Sequence, residues 1–162
     1  MHVYFPFNVM VRFKNRYIIC HVAFHDKNPT SESALTNSLR ASIETMFGLL
    51  GAEEMFPSVQ IKYYDQKYSN VFVVRCLRRD CVKVKMCLEA LERVEKRTCK
   101  VRTVGTHGKL GSLKENVLEK ICKFAVNGGE DDANEDGSDD VNEQKRRRVR
   151  RKVEKAVAAM TS

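Results

Sequence analysis

The pattern that bears most directly on chemistry is a row of positive charges spaced two residues apart. Arg12, Lys14 and Arg16 lie within the largely apolar segment Val9–Cys20. Successive side chains of a β-strand point to opposite faces, so a strand here places these cations on one face, about 7 Å apart. Such a row can neutralise the phosphates of a nucleic-acid backbone.

More cations accompany the later predicted strands. Arg75 and Arg78 lie at the exit of a predicted hairpin, and Lys100 and Arg102 share one face of a strand at Cys99–Val104. With the first row, they would form a basic surface that positions the protein on a phosphate backbone without reading base sequence. The alternative is an ordinary solvated rim of lysine and arginine.

The charge distribution along the chain favours a polyanionic partner. Among the 162 residues, the segment 130–143 holds eight acidic and no basic residues, whereas Lys145–Lys155 holds eight basic residues and one acidic residue. The first 129 residues retain 21 basic and 12 acidic residues, which leaves about nine positive charges in excess. A positive field of this size favours nucleic acid, and charge that serves only solubility is the alternative.

A glycine-rich connection precedes a predicted helix. Lys109, Gly111, Ser112 and Lys114 bring a flexible backbone, a hydroxyl group and two ammonium groups to the helix N-terminus, where free N–H groups favour an anion. Ser112 and Glu115 also match a capping box. The segment therefore predicts either a phosphate contact or a simple helix cap, and it does not have the spacing of a P-loop.

The C-terminal tail is the densest basic segment. It predicts a nuclear localisation signal and an RNA-binding arm at once, and residues 144–162 are compatible with a helix. The acidic segment before it, 128–143, is predicted to be a disordered linker. The candidate residues of the tail are Lys145, Arg146, Arg147, Arg148, Arg150, Arg151 and Lys152.

Catalytic and metal-binding patterns are weak. His21 and His25 would share a strand face, but no third ligand follows at the spacing of a metal site. No nucleophile–base motif appears, so a small enzyme would need a buried polar pocket with a perturbed acid or base. We predict no catalytic residue, no metal site and no cofactor bound by the protein itself.

The cysteine pattern and the hydropathy of the chain indicate in which cellular compartment the protein is expected. Six cysteines occur without a C-x-x-C pair, and we predict that they are reduced core thiols of an intracellular protein. No apolar run approaches the roughly 18–20 residues needed to cross a bilayer, so no membrane partner is expected.

The spacing of apolar residues predicts the elements that carry these side chains. Strands are expected at Val9–Phe24, Ser58–Tyr64, Val71–Cys76 and Cys99–Val104, and helices at 35–47, 81–94 and 112–124. From Tyr17 to Phe24 both faces are apolar, as in a central strand. The order predicts an α+β, ferredoxin-like or RRM-like sandwich. It would have a four-stranded antiparallel sheet, helices on one face, and an extra helix at the C-terminal end of the domain. The first and fourth strands would be neighbours.

The RNA-recognition motif shares this order and stacks bases on sheet aromatics. The corresponding strand here offers only Phe72, and the expected aromatic pattern is absent. Tyr63, Tyr64 and Tyr68 keep open the alternative of a free-standing single-stranded RNA-binding protein.

The segment Met10–Ile18, M-V-R-F-K-N-R-Y-I, resembles the opening M-V-R-F-K-x-R-Y-L of the Pop-five-type protein subunit of eukaryotic ribonuclease P and ribonuclease MRP. Ile61–Asp65 and Val71–Cys76 resemble the hairpin of that family, and Gly111–Lys114 stands where the family has G-T-I-R. Asn116 replaces a cysteine that is usual after that element. The similarity covers residues 10–125.

The resemblance implies a domain plan and a role. Residues 10–127 would be the ribonuclease P subunit domain, preceded by an extension at 1–9. The chain would be a non-catalytic subunit that stabilises the catalytic RNA, and this RNA would hold the Mg²⁺. The complex would remove the 5′ leader of precursor tRNA or process precursor rRNA in the nucleus and nucleolus. The partners would be this RNA, the other protein subunits and, indirectly, precursor tRNA or rRNA. The expected RNA contacts are Arg12, Lys14, Arg16, Arg75, Arg78, Lys100, Arg102, Lys109, Gly111, Ser112 and Lys114.

Overall fold

The first and last long strands of the chain pair in the centre of one sheet. The computed structural model describes residues 14–26, 28, 30–66, 69–109, 112, 113, 116, 117, 119, 147, 150, 151, 154 and 155. Its strands and helices are β1 Asn15–Phe24, α1 Glu32–Met55, β2 Gln60–Asp65, β3 Val71–Leu77, α2 Cys81–Glu89, β4 Arg93–Val94 and β5 Arg97–His107. The described residues from 112 to 119 and from 147 to 155 are also helical.

The strands form an antiparallel sheet of order β2-β3-β1-β5-β4. This order confirms the predicted α+β, ferredoxin-like class and the pairing of the first and last long strands. The prediction of four strands was wrong, because Arg93–Val94 pairs with the first residues of β5 and adds a fifth. A two-residue strand leaves no alternating pattern to detect.

One face of the sheet packs against both helices. Ile18, Cys20 and Val22 on β1 are fully buried on this face. The helices contribute apolar side chains at helical spacing, which confirms the predicted stripes. These side chains are Leu35, Leu39, Ile43, Val84, Cys87 and Leu88.

Helix α1 begins at a cap and is longer than predicted. The Oγ atom of Ser31 accepts a hydrogen bond from the N–H of Ala34 at 3.1 Å, a standard N-cap. The sequence predicted an end near Gly48 and Gly51. Instead the helix breaks at Gly48, where φ is 72°, and resumes as far as Met55. Glycine permits this conformation, and burial of the Met55 side chain holds the second segment on the core.

Helix α2 is shorter than predicted. It ends at Glu89, and Leu91 and Val94 reach the core from the following turn and from β4. The apolar types of these positions continue the helical spacing and predicted a longer helix, but an apolar residue can be buried in a helix, a turn or a strand. Asp80 holds the predicted N-cap position without a capping side-chain hydrogen bond. Its carboxylate lies 3.4 Å from Nε of Arg79.

The opposite face of the sheet is also covered near its centre. Ile19, Val71 and Val73 point away from the α1–α2 core, and each is at most 1% exposed. Leu113 and Val117, four residues apart in the C-terminal helical segment, are equally buried and lie outside that core. We infer that this segment covers the second face. β1 is a central strand in the sheet order, as predicted, but burial on both faces holds only around Ile18–Cys20, because Tyr17 and His21 are half-buried and Ala23 is exposed.

The thiols of the described residues are all buried and free, as predicted for core cysteines. Burial raises the pKa of both the Cys20 and the Cys76 thiols to about 12. Cys122 and the predicted strand segment at 9–13 lie outside the described residues. The buried free cysteines are Cys20, Cys76, Cys81, Cys87 and Cys99.

Candidate nucleic-acid interface

One end of the sheet carries cations that lie on three strands or directly beside their ends. β1 begins where β3 and β5 end, because Asn15 lies opposite Leu77 and Tyr17 lies opposite both Arg75 and His107. We call this region the basic end. It consists of Lys14, Arg16, Arg75, Arg78 and Lys109.

The backbone holds Lys14 and Arg78 side by side. The N–H of Arg78 donates a hydrogen bond to the carbonyl oxygen of Lys14 at 2.7 Å. Arg78 opens a short 3-10 turn, Arg78–Asp80, between β3 and α2. Both side chains are exposed, so two positive charges reach solvent from neighbouring strands.

Arg16 joins the start of β1 to the loop after β5. Its Nη1 atom donates to the carbonyl oxygen of Asn15 at 3.1 Å, and a Cβ atom added at Gly108 would lie 2.8 Å from the same nitrogen. The guanidinium group therefore rests on the glycine backbone. The residue is half-buried, which restricts its conformation while the positive charge stays at the edge of the sheet.

Arg75 points to the face opposite the α1–α2 core. It lies directly across from Gln60 on β2 and from Tyr17 on β1. The residue is half-buried, and its Nε atom is buried with no hydrogen-bond partner in the described part of the chain. A buried donor of this kind is uncommon in folded proteins and calls for an explanation.

Lys109 and Ser112 connect the basic end to the C-terminal helical segment. The carbonyl oxygen of Lys109 accepts from the N–H of Leu113 at 3.2 Å, and both Lys109 and Ser112 are exposed. The side chain of Asn116 donates to the carbonyl oxygen of Ser112 at 2.7 Å. Helical geometry at Ser112 agrees with the predicted helix start. Glu115 lies outside the described residues, so its capping role stays a prediction.

Lys100 and Arg102 lie elsewhere on the sheet. They sit opposite Ala23 and His21, on the face away from the α1–α2 core. His21 is four residues from Tyr17 along β1, a separation of about 13 Å at ~3.3 Å per residue. The predicted cations therefore form two groups, although β1 and β5 are neighbours as expected.

The ion pairs among described residues leave the basic end unpaired. The arginines that form them are Arg40 with Glu44 and Glu53, Arg79 with Glu54 and Asp80, Arg97 with Asp26, and Arg150 with Glu154. None of these arginines belongs to the basic end. Its positive charges are therefore available to an external anion.

The predicted stacking aromatics are largely inaccessible. Phe72 is 2% exposed in the α1–α2 core, and the ring of Tyr64 meets it edge-on with centroids 6.3 Å apart. Burial raises the pKa of Tyr64 to about 12 and raises that of the half-buried Tyr63 as well. Tyr68 lies outside the described residues. A base-stacking site of the RNA-recognition type on Phe72 is therefore not available.

The described residues show no metal-binding cluster, and their titratable groups do not form a recognisable catalytic arrangement. Among the described residues, no group of three His, Cys, Asp or Glu side chains is placed to hold a metal ion. The groups whose pKa is raised include thiols and phenols that burial desolvates. His21 is half-buried on β1, and His25 is exposed just after that strand. No helix of the described chain is both long and apolar enough to span a bilayer.

Several predicted site residues lie outside the described part of the chain. In the tail, Arg147, Arg150 and Arg151 are helical and exposed, and Nε of Arg150 lies 3.2 Å from Glu154. The predictions for the remaining positions stay predictions. These positions are Arg12, Gly111, Lys114, Lys145, Arg146, Arg148 and Lys152.

Three neighbours of Arg75 were not predicted as site residues from the sequence. Asn15, Tyr17 and Gln60 share a face with Arg75 through strand register. Asn15 and Tyr17 lie in the family-like segment Met10–Ile18, but none of the three residue types indicates a binding role, so only a correct pairing of β1 and β2 with β3 could have identified them.

Comparisons with known proteins agree with this fold. One chain in a cryo-EM structure of yeast ribonuclease MRP is similar, with a TM-score of 0.51 and 11% sequence identity over 66% of this chain and 91% of that chain. A search of curated proteins gave no significant match. The model of the Rpp14/Pop5 family matches residues 16–118, which is well over half of the sequence. The chain therefore belongs to the Rpp14/Pop5 family.

Proposed function

We propose that this chain is a protein subunit of ribonuclease P or ribonuclease MRP and that its basic end binds the RNA of that complex. Membership of the Rpp14/Pop5 family and a fold like that of a chain in yeast ribonuclease MRP support the proposal. The observation that carries it is the set of cations on and beside β1, β3 and β5 that lie at one end of the sheet, on both of its faces, without ion pairs among the described residues.

The burial of the sheet favours binding at its ends. Both faces are buried near the centre, by α1 and α2 on one side and, by our inference, by the segment that holds Leu113 and Val117 on the other. RNA therefore meets the protruding cations instead of a flat aromatic sheet. Contacts of this kind fix the position and orientation of a protein on RNA without reading its sequence.

The chemistry of cleavage belongs to the RNA in this proposal. The protein holds the catalytic RNA in its active fold, and Mg²⁺ is coordinated by the RNA. The complex removes the 5′ leader of precursor tRNA or processes precursor rRNA in the nucleus and nucleolus. Lys100 and Arg102 form a second, separate contact with RNA or with RNA-bound subunits, and the basic tail acts as nuclear localisation signal and RNA-binding arm.

The salt dependence of assembly tests the role of the basic end. The double variant Lys14→Gln/Arg78→Gln removes two adjacent exposed charges. If both contact phosphates, the slope of log K against log salt for the purified RNA should become shallower by about 0.7–0.9 per lost contact. The affinity should fall accordingly at low salt.

The matched control is Arg93→Gln/Lys96→Gln. It removes the same two residue types from exposed positions on β4 and in the β4–β5 turn, near the far end of β1. The control should leave both slope and affinity nearly unchanged. Equal effects of the two double variants would show that only net charge matters, and the assignment of the basic end would be rejected.

A further inference from the structure

A pocket of about 340 Å³ opens beside Arg75 at the basic end of the sheet. Four of its side chains share the face opposite the α1–α2 core, because Gln60 lies across from Arg75 and Asn15 lies across from Leu77. The turn after α1 completes the pocket with Pro57. Its volume falls at the lower end of the range for small-molecule sites in proteins.

Arg75 lines the pocket, and its buried Nε–H is a hydrogen-bond donor without an acceptor in the described structure. A buried donor without a partner is destabilising. A ligand acceptor would remove that cost once a small movement of the half-buried side chain exposes the Nε–H to the pocket. Arginine commonly serves this purpose towards nucleobase carbonyl and ring-nitrogen atoms, and its planar group also stacks on bases.

The remaining lining suits a flat group with both donors and acceptors at its edge. The amides of Asn15 and Gln60 each offer an oxygen and an NH₂ group. The hydroxyl of Ser58 donates to the carbonyl oxygen of Met55 at 2.8 Å, which leaves its lone pairs free to accept. Leu77 adds an apolar wall.

The rim argues against a site for free phosphate alone. Glu54 lines the pocket, and its carboxylate lies 3.2 Å from Arg79. An anion site would gain from a second cation, whereas a carboxylate and two neutral amides contribute little to anion binding. The same groups can accept from and donate to a base.

We propose that this pocket binds one unpaired nucleotide of RNA, with the base edge against Asn15 and Gln60 and an acceptor atom at Nε of Arg75. The inference deepens the proposed function and rests on it for the identity of the RNA. It adds recognition of a splayed base to backbone contacts that do not read sequence. The base it selects would fix the register of the protein on the RNA.

The test is an NMR titration of the full-length protein that follows the side-chain amides of Asn15 and Gln60 and the Nε–H of Arg75. The probes are the four ribonucleoside 5′-monophosphates, with inorganic phosphate and ribose 5-phosphate as anion controls. We expect saturable shifts of all three groups in the millimolar range, with one base preferred. Gln60→Ala should weaken binding about tenfold, and Asn37→Ala, an exposed amide on α1, should not.

Two outcomes would overturn the inference. The first is equal shifts with ribose 5-phosphate or inorganic phosphate, which would make the pocket a weak anion site. The second is the absence of shifts with every nucleotide, or their persistence at full affinity in Gln60→Ala. Neither outcome touches the salt-dependence test at Lys14 and Arg78, so the two proposals can fail separately.

Discussion

The guanidinium group of Arg16 lies so close to Gly108 that a Cβ atom at the glycine would stand 2.8 Å from Nη1. This contact joins the first residues of β1 to the loop after β5. It also fixes the direction of a half-buried positive charge at the basic end. The absence of a side chain at Gly108 therefore allows the guanidinium group of Arg16 to take this position.

Gly108→Ala should weaken RNA binding without unfolding the protein. The far end of a flexible arginine can move aside at small energetic cost. The fold should therefore be kept, and RNA affinity should fall because the guanidinium group of Arg16 is displaced from its position. We expect about a fivefold lower affinity for the catalytic RNA, equivalent to about 1 kcal/mol, with an unchanged free energy of unfolding. A filter-binding titration and urea denaturation measure the two quantities.

A double-mutant cycle identifies the cause of that loss. If the alanine acts through Arg16, Gly108→Ala should have no further effect in an Arg16→Ala background. Additive losses in the double variant would contradict the assigned contact.

The free energy of unfolding tests whether the C-terminal helical segment covers the sheet face opposite the α1–α2 core. Leu113 is 1% exposed, so Leu113→Ala should cost about 2–5 kcal/mol in the free energy of unfolding. Leu50 is 87% exposed on α1, and Leu50→Ala should cost less than about 0.5 kcal/mol. Urea denaturation of both variants provides the comparison. Equal small effects would show that the C-terminal helical segment does not protect the sheet.

Acid should weaken the tie between β5 and the loop after β1. Nε of Arg97 donates to both carboxylate oxygens of Asp26 at 2.9 Å, and its guanidinium carbon lies 4.4 Å from the centre of the Phe24 ring. These hydrogen bonds hold the pKa of Asp26 below its usual range. The ionised carboxylate is therefore favoured in the folded state.

The sign of the pH dependence follows from that lowered pKa. The stabilisation is fully present above the ordinary aspartate pKa of about 3.9 and is lost as the pH falls through the lower pKa of the folded state. Asp26→Asn should reduce stability at neutral pH and flatten its decline in acid. Glu92→Gln, at an exposed position without an ion pair in the described structure, should leave the curve unchanged. An identical acid decline in Asp26→Asn would contradict the account.

The core thiols should be chemically silent in the folded protein. Cys20 and Cys76 are 0% exposed, and burial raises the pKa of each to about 12, so the reactive thiolate is nearly absent at neutral pH. Maleimide labelling followed by peptide mass spectrometry should modify both residues only after denaturation. Labelling of native Cys20 at the denatured rate would show that the strand is not central.

The sequence was most informative where side-chain periodicity has one physical cause. Ile18, Cys20 and Val22 are apolar because the sheet buries them, and Leu35, Leu39 and Ile43 are spaced for a helix that covers them. These patterns predicted the element order, the class of fold and the pairing of β1 with β5. The predicted membership of the family is confirmed by the match over 16–118, which contains the hairpin but only the last three residues of the Met10–Ile18 segment.

The sequence-based predictions were wrong where a buried residue lies in a different type of secondary structure from the one that its apolar spacing indicates. Leu91 and Val94 continue the apolar stripe of α2 but belong to a turn and to β4. Gly48 suggested a helix end, whereas the chain uses it as a break and packs Met55 beyond it. The grouping of cations depended on strand register, which a short sequence pattern does not specify, so Lys100 and Arg102 appeared closer to Arg16 than they are.

The most direct test is to isolate the tagged full-length protein from cells and sequence the RNA that accompanies it, beside the Lys14→Gln/Arg78→Gln and Arg93→Gln/Lys96→Gln variants. The account predicts strong enrichment of ribonuclease P or MRP RNA with the wild-type protein and the control, and a clear loss with Lys14→Gln/Arg78→Gln at equal protein level. Absence of that RNA from the wild-type sample, or its full retention by the Lys14→Gln/Arg78→Gln variant, would contradict the account.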